Sequence, residues 1–435
     1  LKYAIEIERL FGYNQVIARR LFMSKVIFHI DVNSAFLSWE AAYRLQHGDT
    51  QDLRDIPCVI GGDSASRRGI VLAKSIPAKA LGIKTGESLY AAMKKCPMLE
   101  VVSPNYDLYT KASKAMFDMI ETCIPSLQIY SIDECFADLS TLPRIEKNFM
   151  EIAVNLKNRI RTELGFTVNI GISQNKLLAK MASDFKKPDR IHTLFPEEIE
   201  EKMWPLDAGD LFMAGRATVQ KLKRMGIMTI GDIAKTDKDI LRGYFKKHGE
   251  TIWRYANGLD ISEIDKPSDI KGIGNSTTLP FDVTDRETAH RVLLSLCEKT
   301  CMRLRQEKKM GTVFSVSMKT SDFFSYSHQQ KIFHPSDSTN EIYSLAKKLF
   351  DQAWQGEPLR LLGLRISDLS TCENLQLSFF DSGLSDKERR LDEAVDQIRE
   401  KHGLYSITRS SFLESGLKPI AGGVHADYKM VSSKI

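Results

Sequence analysis

Three carboxylates stand where apolar strands should run on uninterrupted. Asp31 closes Val26-Ile27-Phe28-His29-Ile30-Asp31-Val32, and Asp133 with Glu134 breaks Ile129-Tyr130-Ser131-Ile132-Asp133-Glu134-Cys135-Phe136-Ala137-Asp138. Both runs are rich in β-branched and aromatic residues and read as core strands. An ionised carboxylate in such a strand is costly unless a cation offsets it. Two divalent metal ions holding a triphosphate are one such partner. One would activate an attacking hydroxyl and the other would steady the leaving group, which is the chemistry of nucleotidyl transfer. Mg2+ suits it, because it takes oxygen ligands and binds one or two carboxylates together with phosphate. The residue types alone leave a second reading open, in which these are surface acids on unrelated strands.

The elements that must position these acids are legible in outline. After the first strand, Ala35, Phe36, Trp39 and Ala42 recur at helical period over 34–45, and 56–90 is turn-rich, punctuated by Gly61-Gly62-Asp63 and Arg67-Arg68-Gly69. A helix over 107–124 leads to the Asp133 hairpin, and another over 148–164 leads to the strand Thr167-Val168-Asn169-Ile170-Gly171-Ile172. Ser173 is read as the N-cap of a helix through Ala182. Strand and helix alternate with an antiparallel hairpin, which predicts an α+β core.

From 196 to about 265 the pattern turns helical and basic, with ten Lys and Arg against four Asp and Glu between Gly215 and Arg254. Gly215 opens a helix carrying Arg216 and Lys221. Backbone amides at such a turn, beside lysines, suit a phosphate chain of any base sequence. Residues 266–274 read as a linker. A second α/β unit follows, opening on a capping box at Thr284-Asp285-Arg286-Glu287 and a helix to about Lys308 striped by Val292, Leu293, Leu296, Cys297, Cys301 and Leu304. Strands are read at 312–318 and 361–369, a helix at 338–354, and one amphipathic helix near 391–401 in a polar tail.

Composition sets bounds. The chain has 435 residues, enough for two to four domains, and 43% hydrophobic with 27% charged residues places it among ordinary globular proteins. A net charge of +5 permits a nucleic-acid partner. Seven cysteines, odd in number and without paired ligand spacing, suggest free thiols in a reducing cytoplasm, with Cys297 and Cys301 on one buried helix face. No run approaches the roughly eighteen apolar residues of a membrane span, so no membrane role is expected. Residues 1–23 are read as an N-terminal extension without the apolar centre of a secretory signal, Met23 standing just before the first strand.

Three ordered motifs resolve the choice left open by the acids. Phe28-His29-Ile30-Asp31-Val32-Asn33-Ser34-Ala35-Phe36 resembles the opening motif of the Y-family translesion DNA polymerases. Tyr130-Ser131-Ile132-Asp133-Glu134-Cys135-Phe136 is similar to their second motif. Asn169-Ile170-Gly171-Ile172-Ser173-Gln174-Asn175-Lys176-Leu177-Leu178-Ala179-Lys180-Met181-Ala182-Ser183 with Lys187-Pro188 is similar to their third. The resemblance covers about 24–380 and is nearest the DNA polymerase IV (DinB-like) branch, with the UmuC-like branch as the alternative.

The resemblance implies a right-hand polymerase with an added α/β little-finger domain. Its palm would be 24–34 and 105–195, fingers 35–104, thumb with a helix-hairpin-helix 196–265, little finger 275–372, and tail 373–435. Asp31, Asp133 and Glu134, with the carbonyl of Val32, would hold two Mg2+, and Phe36 would be a steric gate against the ribose 2′-OH. Lys187 and Lys79 would meet the triphosphate; Ile76 lacks the family's tyrosine hydroxyl, whose place Ser75 or Lys74 would take. Gly215, Arg216 and Lys221 would touch DNA, although Met213-Ala214-Gly215 lacks the family's first turn glycine. Gln376-Leu377-Ser378-Phe379-Phe380 resembles a sliding-clamp-binding peptide. The expected partners are primer-template DNA, dNTP and the clamp; the protein is expected to be a monomer, of low fidelity and without proofreading. The competing classes are a catalytically silent clamp-tethered scaffold and a palm-domain nucleotide cyclase.

Overall fold

The computed structural model describes residues 25–62, 69–143, 145–264, 269–371 and 384–412. The first strand, β1 (Ile27–Val32), is buried along its length apart from a half-buried Asp31. A three-stranded sheet follows, formed by β2 (Cys58–Gly61), β3 (Val71–Lys74) and β4 (Glu100–Val102) in the order β3-β2-β4. β2 and β3, of four residues each, lie in the stretch 56–90 read from sequence as turn-rich, and β4 follows it; none is long enough for periodicity to show. Next come β5 (Leu127–Ile129), β6 (Glu134–Asp138), β7 (Val168–Ser173) and β8 (Ile191–Thr193), which join β1 in a five-stranded sheet ordered β5-β6-β1-β7-β8.

Residues alternate across β1 with the period of a strand. Phe28, Ile30 and Val32 enter the largest core with the helices Tyr106–Cys123 and Ile145–Arg159, whereas Ile27 packs with Phe136 and Ala179 on the other face. The helix Ala35–Gln46, expected to open the fingers, joins this core through Leu37, Trp39 and Ala41, as do Cys58, Ile60 and Val102 of the three-stranded sheet. The second face is covered by the helix Lys176–Asp184, N-capped by Asn175 and not by Ser173, which is the last residue of β7. A Cβ at Gly171 would lie 1.9 Å from the Ala179 carbonyl oxygen. Only glycine lets the helix settle so closely on the sheet.

Leu177, Leu178, Met181 and Ala182 of that helix enter the core of the following helical region. It contains Arg216–Arg224, Ile230–Lys235, Lys238–Phe245 and Lys247–Ala256. The last unit is a four-stranded antiparallel sheet of β9 (Gly272–Val283), β10 (Lys309–Thr320), β11 (Ser325–Ser336) and β12 (Leu359–Thr371), ordered β11-β10-β12-β9. Helices Arg286–Gln306 and Thr339–Ala353 share its core. Cys297 and Cys301 are both fully buried there, as the helical stripe predicted.

Three expectations shift. The linker ends sooner than 274, since β9 begins at Gly272. The helix cap is Asp285, whose side chain accepts from Thr288 N, so the box predicted on Thr284 and Glu287 is displaced by one residue. The tail helix runs Leu384–His402, longer than read, and ion pairs dock it on the last unit: Arg305 with Asp392 and Asp396, Arg399 with Glu298. Among the described residues no helix is long and apolar enough to cross a membrane.

Candidate active site

Register brings two of the three acids together. Asp31 on β1 is the cross-strand partner of Glu134 on β6 and of Asn169 on β7. Asp133, expected within a continuous strand, lies instead in the turn between β5 and β6. Tyr130 N and Ser131 N both donate to the Glu134 carbonyl, and the Ser131 hydroxyl donates to Asp133 Oδ1 at 2.5 Å. These local bonds make the turn of the hairpin read from sequence, whose place at Asp133 the apolar pattern alone conceals. The turn still rests on the site, because Val32 N donates to the Asp133 carbonyl at 3.0 Å.

Each acid has a different surrounding. Lys187 Nζ meets Asp31 Oδ2 at 2.5 Å and Asp184 Oδ1 at 2.9 Å. Burial pushes the Asp31 carboxyl above its ordinary range, against the pull of Lys187. Burial acts on Lys187 in the opposite sense, but Asp31 and Asp184 prevail and raise it to about 12. Asp133 is raised by burial too, opposed by its bond from Ser131. Burial would likewise raise Glu134, yet the hydrogen bond from His29 and the charge of Lys180 bring it down to about 2.

The groups that make Glu134 different were not singled out by sequence reasoning. His29 Nε2 lies 3.0 Å and Lys180 Nζ 2.5 Å from Glu134 Oε2. His29 Nδ1 lies 2.8 Å from Ser183 Oγ. The available signal was His29 itself, a polar ring inside Phe28-His29-Ile30, which must find partners if buried. Burial lowers its pKa, which favours the neutral ring. A carboxylate only accepts, so Nε2 carries the proton, while the single Ser183 hydroxyl proton lies between His29 Nδ1 and the Lys180 carbonyl, each 2.8 Å away.

Asn169 holds the loop that carries Lys187. Its Nδ2 donates to the carbonyls of Ser183 and Lys186 at 3.0 and 2.9 Å, and its Oδ1 accepts from Arg190 N and Asn33 Nδ2. Asn33 Oδ1 in turn accepts from Asp189 N at 2.9 Å. Side chains on β7 and just after β1 therefore fix the lysine against Asp31.

Among the described residues no three His, Cys, Asp or Glu side chains are drawn together as a cage. The chemistry nevertheless fits a hard divalent cation: Asp31 and Asp133 are buried acids held above their ordinary pKa, and among the described residues Asp133 has only the Ser131 hydroxyl as side-chain partner. The two bonds to Glu134 both end on Oε2, which leaves Oε1 for a ligand. The residues fit in kind, and lysines hold them in this arrangement.

The remaining expected site residues divide. Phe36 is half-buried and stacks on Tyr109, ring centroids 4.8 Å apart and 14° from parallel, with Trp39 and Tyr106 at 6.0 and 6.1 Å. Lys79 is exposed in the last turn of the helix Ile76–Ala80, beside an exposed Ile76. Ser75 does not fit the expected phosphate contact. It is 2% exposed, caps that helix at Ala78 N, donates to the Ile56 carbonyl at 2.6 Å and accepts from Cys58 N. Its hydroxyl is committed to the fold. Gly215, Arg216 and Lys221 are exposed at and along the helix Arg216–Arg224, whose first turn carries no acid. Gly215 has an ordinary φ of −70°, and the left-handed residue of the turn is Met213 at φ 73°. Gln376, Leu377, Phe379 and Phe380 lie outside the described residues, as does the extension 1–23.

Known proteins agree with this architecture. The model of the impB/mucB/samB family matches residues 30–184, and that of its C-terminal domain matches 270–379. The DNA polymerase IV of Clostridium acetobutylicum is 50% identical over 90% of this chain and 99% of its own. That of Acetivibrio thermocellus is 36% identical over 90% and 98%, and DNA polymerase IV 1 of Bacillus subtilis 32% over 90% and 94%. A solved Y-family DNA polymerase chimera shares the fold at a TM-score of 0.70 and 20% identity, over 80% of this chain and 99% of that one. With three near-full-length relatives above 30% identity, the chain belongs to the DNA polymerase IV (DinB-like) branch of the Y-family of DNA-directed DNA polymerases.

Proposed function

We propose that this polymerase performs translesion synthesis, adding dNMP from dNTP to a primer 3′ end with release of pyrophosphate, at low fidelity and without proofreading. The observation that carries the catalytic assignment is the register of β1 on β6, which sets Asp31 opposite Glu134 at one end of the sheet, with Asp133 in the adjoining turn. Asp31, Asp133, Glu134 and the carbonyl of Val32 would hold two Mg2+. When bound, these ions supply charge to the triphosphate and acidify the primer hydroxyl. Lys187 lies within bonding distance of Asp31 and carries its charge at any ordinary pH, so it can pass from that carboxylate to a phosphate oxygen. Lys79 adds an exposed charge on the fingers, without an arginine's two-pronged grip. Phe36, braced by Tyr109, would exclude a 2′-OH.

Gly215, Arg216 and Lys221 would follow the DNA backbone from the thumb. On the little finger, Ser315 and Ser317 of β10, Gly363 and Arg365 of β12, and Gln329 of β11 share one face by register, opposite the buried Phe314, Val316 and Leu364. That face is small and polar and suits a flat approach to duplex. Gln376, Leu377, Phe379 and Phe380 would tether the enzyme to a sliding clamp. A monomer acting in the cytoplasm completes the reading.

The test is primer extension with Mg2+ on a templated duplex and on one bearing a blocking lesion. Extension past the lesion, lost in Asp133→Ala and Glu134→Ala, is the expected result. Wild-type inactivity would favour the scaffold, and a cyclic product made without primer would favour the cyclase.

A further inference from the structure

The mechanism above assigns no task to the one imidazole ring buried beside the site's carboxylates among the described residues. His29 is 1% exposed in the central strand, between Phe136 on β6 and Gly171 on β7. Phe136 packs on its ring at 4.7 Å, and the absent side chain of Gly171 lets the helix Lys176–Asp184 bring Ser183 over it. Both ring nitrogens are used: Nδ1 lies 2.8 Å from Ser183 Oγ and Nε2 3.0 Å from Glu134 Oε2. A histidine serving packing alone has no need to reach a carboxylate at the edge of the sheet.

We propose that His29 is a positioning residue for Glu134, its ring oriented by Ser183, fixing one carboxylate oxygen so that the other is presented to a divalent cation. The proposal rests on the reading of Glu134 as a metal ligand. Two donors converge on Oε2 from different elements, Nε2 of His29 from β1 below and Nζ of Lys180 from the covering helix. Two bonds to one oxygen restrict rotation about the last side-chain torsion, so Oε1 keeps a single direction. A lone lysine on a flexible stem would not do this; a ring clamped on both sides does. The arrangement follows from sequence order as well. His29 and Asp31 alternate onto the same face of β1, so the orienting group and a further carboxylate come from one strand.

The experiment measures Mn2+ binding by electron paramagnetic resonance on the full chain with a chain-terminated primer-template and dNTP, so that no turnover contributes. His29→Gln places an amide donor near the position of Nε2, and His29→Leu fills a similar volume without one. Loss of an outer hydrogen-bond partner of a metal ligand weakens binding about ten-fold or more. His29→Leu should therefore show about that loss, His29→Gln should recover to within roughly three-fold of wild type, and Ser183→Ala should fall between them. Equal weakening by Leu and Gln, or none by either, overturns the proposal. Glu134→Ala is the control on the underlying reading: if it leaves Mn2+ affinity unchanged, Glu134 is not a ligand. If it weakens binding while His29→Leu does not, only the positioning role fails. Thermal melting of each variant separates these outcomes from loss of fold.

Discussion

Charge is buried in two places in this protein, and the two differ in what is left over. In the little finger, Arg305 spends its guanidinium on Asp396 at 2.7 and 3.1 Å, on Asp392 at 3.2 Å and on the Asp337 carbonyl. Asp392 also accepts from Thr339 N, and Glu298 is shared by Arg399 and Arg409. Asp392, Asp396 and Glu298 each face an arginine. In the palm, Asp133 meets only a hydroxyl and both bonds to Glu134 end on one oxygen. Burial of charge is common to both regions. Glu298 too takes both of its bonds on one oxygen, so what separates the site from the latch is Asp133, a buried acid met by a hydroxyl and by no cation among the described residues.

If that distinction holds, removing an acid from each region gives opposite results. Asp133→Ala and Glu134→Ala should reduce primer extension by at least about a thousand-fold, the several kcal/mol that metal-borne charge supplies to a transition state. Asp133→Ala should barely lower the melting temperature, because no cation pairs with that acid among the described residues, whereas Glu134→Ala strands Lys180 and His29 and should lower it. Chelation of divalent metal should reproduce the kinetic loss in the wild type. A variant that melts early and still extends primers would place the acids in the latch class.

The converse test removes Arg305. Taking one partner from a buried ion pair typically costs about 3–5 kcal/mol, since the remaining charges stay buried without compensation. Arg305→Met should release the helix Leu384–His402, seen as rapid amide exchange and protease cleavage there, while basal extension on an undamaged template stays near wild type. Extension falling in step with helix release would join the latch to the catalytic machinery.

Legibility in the sequence follows the same division. β1 and β7 were readable because strands buried on both faces are near-continuous apolar runs. β11 was not: it is an edge strand with most of Ser325–Ser336 exposed, so Ser-Tyr-Ser-His-Gln-Gln carries no alternation to detect. The three acids and Lys187 were legible from their motifs. His29, Lys180 and Ser183 were not assigned because their importance is a matter of register, which only pairing reveals. The turn at Asp133 was hidden for a related reason, as Ile129 to Asp138 has strand composition throughout and only local backbone and Ser131 hydroxyl bonds break it. The tail helix shows the limit of pattern reading. It turns charged Asp392 and Arg399 inward and leaves Leu391 and Ile398 exposed, the reverse of the usual amphipathic arrangement.

Phe36 tests a subtler version of the comparison, because its ring is at once packed and placed for function. Phe36→Ala should raise ribonucleotide incorporation about a hundred-fold relative to deoxynucleotide, at the upper end of what a packing difference discriminates. Tyr109→Ala should loosen the gate less, by about three- to ten-fold, the worth of one stacked aromatic pair. Sugar selection measured with matched dNTP and NTP reads both. If Tyr109→Ala changes stability alone, the stack is packing and nothing more.

The smallest expected effect lies in the thumb turn. Met213 holds φ at 73°, in the region where an L side chain meets its own carbonyl, and Gly215 two residues later uses an ordinary conformation. The strain therefore sits at Met213, and the glycine sits where none is required. Met213→Gly relieves about 1–2 kcal/mol of strain but adds back up to about 1 kcal/mol of chain entropy, so a net gain of about 0.5–1 kcal/mol in denaturant unfolding is expected. If the Met213 side chain also keeps the turn from closing on DNA, the same variant should tighten duplex binding without altering its salt dependence, because no cation is gained or lost. A change in the salt slope would show instead that the turn repositions Arg216 or Lys221, and the thumb would then hold DNA through its side chains and not through its backbone.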